Sequence, residues 1–126
     1  MKDRFIEGNP LEEFGGYSRA AREETRIAVS GTTANLIPGE PLDTYAQTAQ
    51  ALNRAVGAVQ QLGGSAERII RTRIYLTPAA DWRGAARAHA EVFGAHRPAN
   101  TMLFVTALIG DEGALVEVEL DAEATA

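Results

Sequence analysis

Between Leu42 and Leu62, apolar side chains recur every three or four positions: Leu42, Tyr45, Ala49, Leu52, Val56, Val59 and Leu62. That spacing predicts a helix over Leu42 to Leu62 carrying one continuous apolar stripe, and such a stripe has to lie against a second layer. Gly63-Gly64 ends it, because glycine accepts the left-handed backbone of a helix terminus. The next run has the other period. From Arg68 to Leu76, Ile70, Thr72, Ile74 and Leu76 fall on one face, and Arg71, Arg73 and Tyr75 fall on the other. A long helix laid on a β-sheet is the arrangement these two patterns require.

The flanking segments extend it. Tyr17 to Ala21 and Arg26 to Thr33 read as two short strands turned at Glu23-Glu24-Thr25, with Ile27 and Val29 sharing a face. Residues 35 to 41, with Pro38, Gly39 and Pro41, form a loop. Thr77-Pro78 has the chemistry of an N-cap followed by a first-turn proline. A second helix then runs to about Gly94, burying Trp82, Ala85, Ala86, His89, Val92 and Phe93. Two last strands, Thr101 to Ala107 and Leu115 to Asp121, are joined through Gly110-Asp111-Glu112-Gly113. Residues 1 to 15, with Gly8, Pro10 and Gly15, read as an irregular lead-in. The order β-β-α-β-α-β-β predicts an α+β layer sandwich with both helices on one face, in a single domain over residues 1 to 126. The uncovered sheet face mixes Arg71, Arg73 and Tyr75 with a last-strand set, and a face of that kind favours association.

Composition removes several functions. There are no cysteines, which excludes a disulfide framework, a thiolate metal site and a cysteine nucleophile. Two histidines, His89 and His96, are too few for a zinc site without carboxylate help, so no metal is expected. The formal charge is −5, and the eleven arginines and Lys2 are scattered, which argues against nucleic acid as a partner. No phosphate loop or Gly-x-Gly-x-x-Gly motif calls for a nucleotide. No apolar run spans a membrane, and Met1-Lys2-Asp3-Arg4-Phe5 lacks a signal-peptide core, so a cytoplasmic location is expected.

Four segments together carry a resemblance: Gly15-Gly16-Tyr17-Ser18-Arg19-Ala20, Val29-Ser30-Gly31-Thr32, Arg97-Pro98-Ala99-Asn100-Thr101-Met102, and Leu115-Val116-Glu117-Val118-Glu119-Leu120. Over Gly15 to Leu120 the chain resembles the RidA/YjgF family of small trimeric proteins, whose best-known members hydrolyse reactive enamines and imines to ketones and ammonia. The resemblance implies a chorismate-mutase-like fold, three copies closing into a homotrimeric barrel, interface clefts for a small-molecule ligand, and no cofactor. Glu117 matches the carboxylate that positions or activates water, and so is the candidate catalytic residue. Tyr17 matches a tyrosine at the cleft mouth, and Ser30 and Gly31 match a turn that approaches the ligand. Asn100, followed by Thr101, stands where those members carry an arginine for the substrate carboxylate.

That departure has a physical consequence. A guanidinium takes a carboxylate through two charged hydrogen bonds, whereas an amide donates through one neutral nitrogen. The usual substrate, 2-aminoacrylate, is therefore not expected. Arg73 and Arg97 are the candidates to compensate, with an ion pair to a last-strand glutamate the competing use of Arg73. Glu117 and Glu119 have a structural alternative of the same kind, balancing Arg71 and Arg73. Ser30 has no visible base partner, which excludes a serine hydrolase. Two functions remain: an enamine or imine hydrolase, and a non-catalytic trimer that binds a small metabolite.

Overall fold

The computed structural model describes residues 3–125. Six strands form one sheet: β1 (Arg4–Phe5), β2 (Ala20–Glu23), β3 (Arg26–Thr32), β4 (Ile69–Leu76), β5 (Ala99–Phe104) and β6 (Val116–Glu123). Their order is β1-β2-β3-β6-β4-β5, so the last strand of the chain lies in the middle. Neighbours are antiparallel except β4 and β5, which are parallel and joined through a helix, the connection a parallel pair requires. Three helices accompany the sheet: α1 (Pro10–Gly15), α2 (Thr44–Gln61) and α3 (Trp82–Phe93). Helices α2 and α3 pack on one sheet face, where Ile27, Ile74, Leu76, Val116, Val118 and Leu120 join Leu52, Val59 and Phe93 in the core. The α+β layer arrangement expected from the sequence is the one observed.

Several details differ, each for a local reason. The lead-in is ordered over its described part. Asn9 caps α1 by accepting from the Leu11 N–H, Pro10 occupies the first turn, and Glu12 reaches back to the Asn9 N–H. This is a complete capping box, closed by Gly16 at φ 71°. Residues 1 and 2 lie outside the described chain. Helix α3 starts at Trp82 rather than Thr77-Pro78, because Asp81 accepts from the Arg83 N–H while Thr77 bonds Leu115. Trp82 is consequently 45% exposed, with the Arg83 guanidinium stacked on it, instead of lying in the core.

The buried side of α2 is lined by smaller residues than the apolar stripe suggested. Thr48, Ala51, Ala55 and Ala58 lie innermost beside Leu52 and Val59, and Tyr45, Ala49 and Val56 flank them. Two bulges interrupt the alternation. Between Ile69 and Arg71 the register of β4 on β6 slips, so Ile69 is buried and Ile70 stands 54% exposed, against the expected face. Between Val29 and Thr32 the register of β3 on β6 slips as well.

Candidate functional site

The second bulge builds the site. Val29 and Thr32 both point into the core although three positions apart, and the extra residue leaves Ser30 and Gly31 turned out of the ladder. Gly31 then lies directly against the Glu117 carboxylate. A β-carbon on residue 31 would stand 2.9 Å from Glu117 Cδ, closer than such contacts allow, so only glycine leaves this carboxylate where it is. Glu117 comes from β6, paired with Tyr75 of β4, on the sheet face away from α2 and α3.

A cavity of about 680 Å³ opens here, and Tyr17, Ser30, Gly31, Tyr75, Glu117 and Glu119 border it. Leu11 and Phe14 of α1 form one rim, and Leu108 and Ile109 of the long β5–β6 connection form the other. Phe14 and Ile109 are 90% and 91% exposed in the single chain. The Ser30 hydroxyl donates to the Ser18 carbonyl at 2.7 Å and the Ser30 N–H to the Arg19 carbonyl at 2.9 Å, which fixes the turn and leaves no activated nucleophile.

The carboxylates on this wall differ in their partners. Glu119 accepts from the Tyr75 hydroxyl and lies 4.0 Å from Arg73. Arg73 is committed to Asp121 at 3.1 Å. Among the described residues, Glu117 makes neither an ion pair nor a side-chain hydrogen bond. Burial pushes its carboxyl above the ordinary range, opposed by the Arg19 cation and assisted by Glu119. A carboxyl of this kind, facing a cavity and holding its proton more tightly than usual, suits proton transfer to and from a reacting molecule.

Asn100 and Thr101 lie elsewhere on this chain. Asn100 pairs in register with Thr72 and donates to its hydroxyl at 2.9 Å. The same Thr72 hydroxyl is hydrogen-bonded to His89 Nε2 at 2.8 Å. Burial holds the His89 pKa down. Asn100 thus ends a polar chain on the helix side of the sheet, opposite Glu117. Thr101 pairs with Arg73 on the edge strand. Arg97, with φ 54° and exposed, lies in the turn after α3, away from the cavity.

The cation that does border the cavity is Arg19, to which the sequence reading gave no role. Its guanidinium sits 5.9 Å from the Tyr17 ring, and its Nη2 donates to the Gly31 carbonyl at 2.9 Å. Its place beside Tyr17 and Ser18 was the available signal, but the side chain reaches Gly31 only because of the bulge.

Comparison with known proteins agrees with this architecture. The family model described as endoribonuclease L-PSP matches residues 8–124. An uncharacterized protein of Streptomyces coelicolor, SCO2049, is 40% identical over 122 residues, covering 94% of this chain and 90% of that protein. The crystal structure of Rv2704 from Mycobacterium tuberculosis, a member of the YjgF/YER057c/UK114 family, is similar with TM-score 0.87 at 40% identity, covering 96% of this chain and 98% of that one. The YjgF gene product of E. coli, 22% identical with TM-score 0.75 and covering 98% and 94% of the two chains, shares the fold.

Proposed function

This chain belongs to the YjgF/RidA family, and from that premise we propose that it hydrolyses a reactive enamine, imine or related carbonyl-type metabolite without a cofactor. In the reaction, Glu117 takes a proton from water as the oxygen adds to the C=N carbon. It returns that proton to the nitrogen, giving the neutral carbinolamine; the hydroxyl proton then passes to the nitrogen, carried by the same carboxylate, as the C–N bond breaks, the carbonyl forms and ammonia leaves. For an enamine, protonation of its carbon gives the imine first. Tyr17 and the main-chain groups of Ser30 and Gly31 orient the substrate. The observation that carries this reading is the Glu117 carboxylate itself, held over Gly31 beside a cavity and free of any ion pair among the described residues.

The same reading includes a homotrimer. Leu103 and Phe104 of the edge strand are 41% and 53% exposed, and together with Ile109 they supply apolar surface that neighbouring copies would cover. Asn100 and Thr101 lie on or beside that edge and so contribute to a site through a neighbouring copy. With an amide rather than a cation at residue 100, 2-aminoacrylate is not the expected substrate. A non-catalytic metabolite-binding trimer would use the same cavity, but it gives no reason to keep an unpaired carboxylate there. RNA cleavage fits poorly with the charge of −5. Among the described residues no helix is long and apolar enough to cross a membrane, and a cytoplasmic location is part of the proposal.

The test is steady-state ammonia release from enzymatically generated 2-imino acids of increasing size, with light scattering to give the mass of the assembly. Turnover that disappears in Glu117→Ala supports the hydrolase. No turnover on any imine, with Glu117→Ala indistinguishable from the parent in ligand binding, overturns it.

A further inference from the structure

A groove of about 410 Å³ lies between α3 and the edge strand, on the helix side of the sheet. Asn100, Met102 and Phe104 alternate along β5, Trp82 and Ala86 stand one turn apart on α3, and Leu76 and Leu103 complete the lining. All of these side chains are apolar except Asn100. No charged residue among the described ones borders the groove, and the Arg83 guanidinium is stacked on the Trp82 ring instead.

The Asn100 amide is fixed from behind. Its inner atom lies 2.9 Å from the Thr72 hydroxyl and 3.5 Å from the Thr72 carbonyl. A carbonyl oxygen meets only a donor favourably, so that atom is Nδ2 and the amide oxygen is turned outward. Thr72 is fully buried, and its hydroxyl is held between Asn100 and His89 Nε2. The His89 ring is packed in turn on Phe93, with ring centres 4.8 Å apart. Rotating the amide would set its oxygen against the Thr72 carbonyl. Asn100 Oδ1 has no donor among the described residues, and Asn100 is exposed, so the oxygen is open to a ligand.

We propose that this groove binds a neutral, mainly apolar group carrying one N–H or O–H, which donates to Asn100 Oδ1. The lining selects that chemistry. A carboxylate would meet an amide oxygen and no cation, and an ammonium would leave water with no counter-charge. An apolar ring gains contact with Trp82, Met102 and Phe104, while the one polar contact sets its orientation. Asn100 is therefore a specificity-determining residue of opposite polarity to an arginine, accepting where a guanidinium would donate. Thr72 and His89 are positioning residues that act through it. The binding rests on this chain's own geometry. Only its link to turnover rests on the hydrolase reading, in which the trimer brings this edge to the Glu117 of a neighbouring copy and the donor belongs to the non-reacting end of the substrate.

Titration of isotope-labelled protein with indole, N-methylindole and benzoate, followed by NMR at the Asn100 amide and at Trp82, tests this without turnover. Trp82 is the one tryptophan in the chain, so its indole signal reports on the groove unambiguously. The parent is expected to bind indole about fivefold more tightly than N-methylindole, the factor that corresponds to one neutral hydrogen bond of about 1 kcal/mol, and benzoate more weakly than either. Asn100→Leu should bring the two indoles to equal affinity. Thr72→Val, which frees the amide to rotate, should shrink the difference, an effect that a merely structural Thr72 would not have. Equal binding of the two indoles by the parent, no binding of any probe, a preference for benzoate, or an undiminished difference in Asn100→Leu would each overturn the assignment. The comparison within the parent needs no variant to fold. Discrimination between the indoles without ammonia release from any imine would leave Asn100 standing and remove the hydrolase, whereas ammonia release without discrimination would do the reverse.

Discussion

Arg19 and Arg22 leave the same stretch of chain three positions apart, are 5% and 4% exposed, and meet opposite surroundings. Arg22 closes the end of α2: it ties the Leu62 carbonyl to Glu24 and to Thr125, and none of its three nitrogens is left over. Arg19 borders a cavity, with its Nε enclosed and without an acceptor and with a carboxylate, Glu117, on the same wall. One region has met its polar requirements internally and the other has not. The unmet region is where an outside molecule can contribute. Substitutions at the closed end should therefore cost stability and spare chemistry, and substitutions at the open end should do the reverse.

The largest effect expected is at the open end. Glu117→Gln keeps the shape and removes the base, and turnover should fall by roughly 10²- to 10⁴-fold, the usual range for a positioned general base. The thermal midpoint should hold or rise, because the variant no longer buries an unpaired carboxylate. Ammonia release and a melting curve on the same preparation decide it, and a melt that collapses alongside activity would erase the distinction between the two regions. At the closed end, Arg22→Met strands three backbone carbonyls, one of them at the helix terminus. Urea denaturation should show a loss of about 2 to 5 kcal/mol, as for other buried charged groups that satisfy several acceptors. KM of the folded fraction should stay within twofold. Next in size is Gly31→Ala. Its new methyl pushes the Glu117 carboxylate, the free end of a flexible side chain, so stability should change by under about 1 kcal/mol. Activity should drop about 100-fold, as expected for a misplaced catalytic group.

The contrast also explains what the sequence could and could not convey. Periodicity carried the layers: Leu52, Val59 and Leu62 on one helix, and Thr72, Ile74 and Leu76 on one strand, lie where their spacing puts them, in the core. It failed where a residue was inserted. The bulge at Ile69–Arg71 exposes Ile70, and the bulge at Ser30-Gly31 turns Gly31 toward Glu117; neither can be read from a period-two count. Helix α1 was readable in principle, since Asn9-Pro10-Leu11-Glu12 is a capping box, but the nearby glycines hid it. Asn100 stands out through its position in a motif, yet its amide donates to the Thr72 hydroxyl on the helix side, and it is that hydroxyl that meets His89. Arg19 went unremarked because its role depends on a partner twelve residues away and on the bulge that brings the two together.

The smallest expected effect separates the regions by acidity. Glu12 and Glu117 are both carboxyls taken from water, and they shift in opposite directions. For Glu12, 3% exposed, burial acts to raise its pKa, but the backbone N–H groups of Asn9 and Glu7, then the Arg19 cation, hold it below the ordinary value. Glu117 has no such donors, and burial raises it. A carboxyl with a depressed folded pKa contributes stability that is present above the unfolded pKa and lost as pH falls through the folded one. A carboxyl with a raised folded pKa contributes stability that is fully present below the unfolded pKa and lost as pH rises through the folded one. Urea midpoints of the parent, Glu12→Gln and Glu117→Gln should therefore separate in opposite directions. The deficit of Glu12→Gln should shrink as pH falls below the usual carboxylate range. Glu117→Gln should gain on the parent as pH rises through and just above that range. If Glu117 is the base, kcat/KM in the parent should climb over that same upper window, because the carboxylate must be free to accept the proton. A rate that instead levels off at an unperturbed glutamate pKa would mean that Glu117 is solvated like any surface acid, and the open end of the sheet would lose its claim to the chemistry.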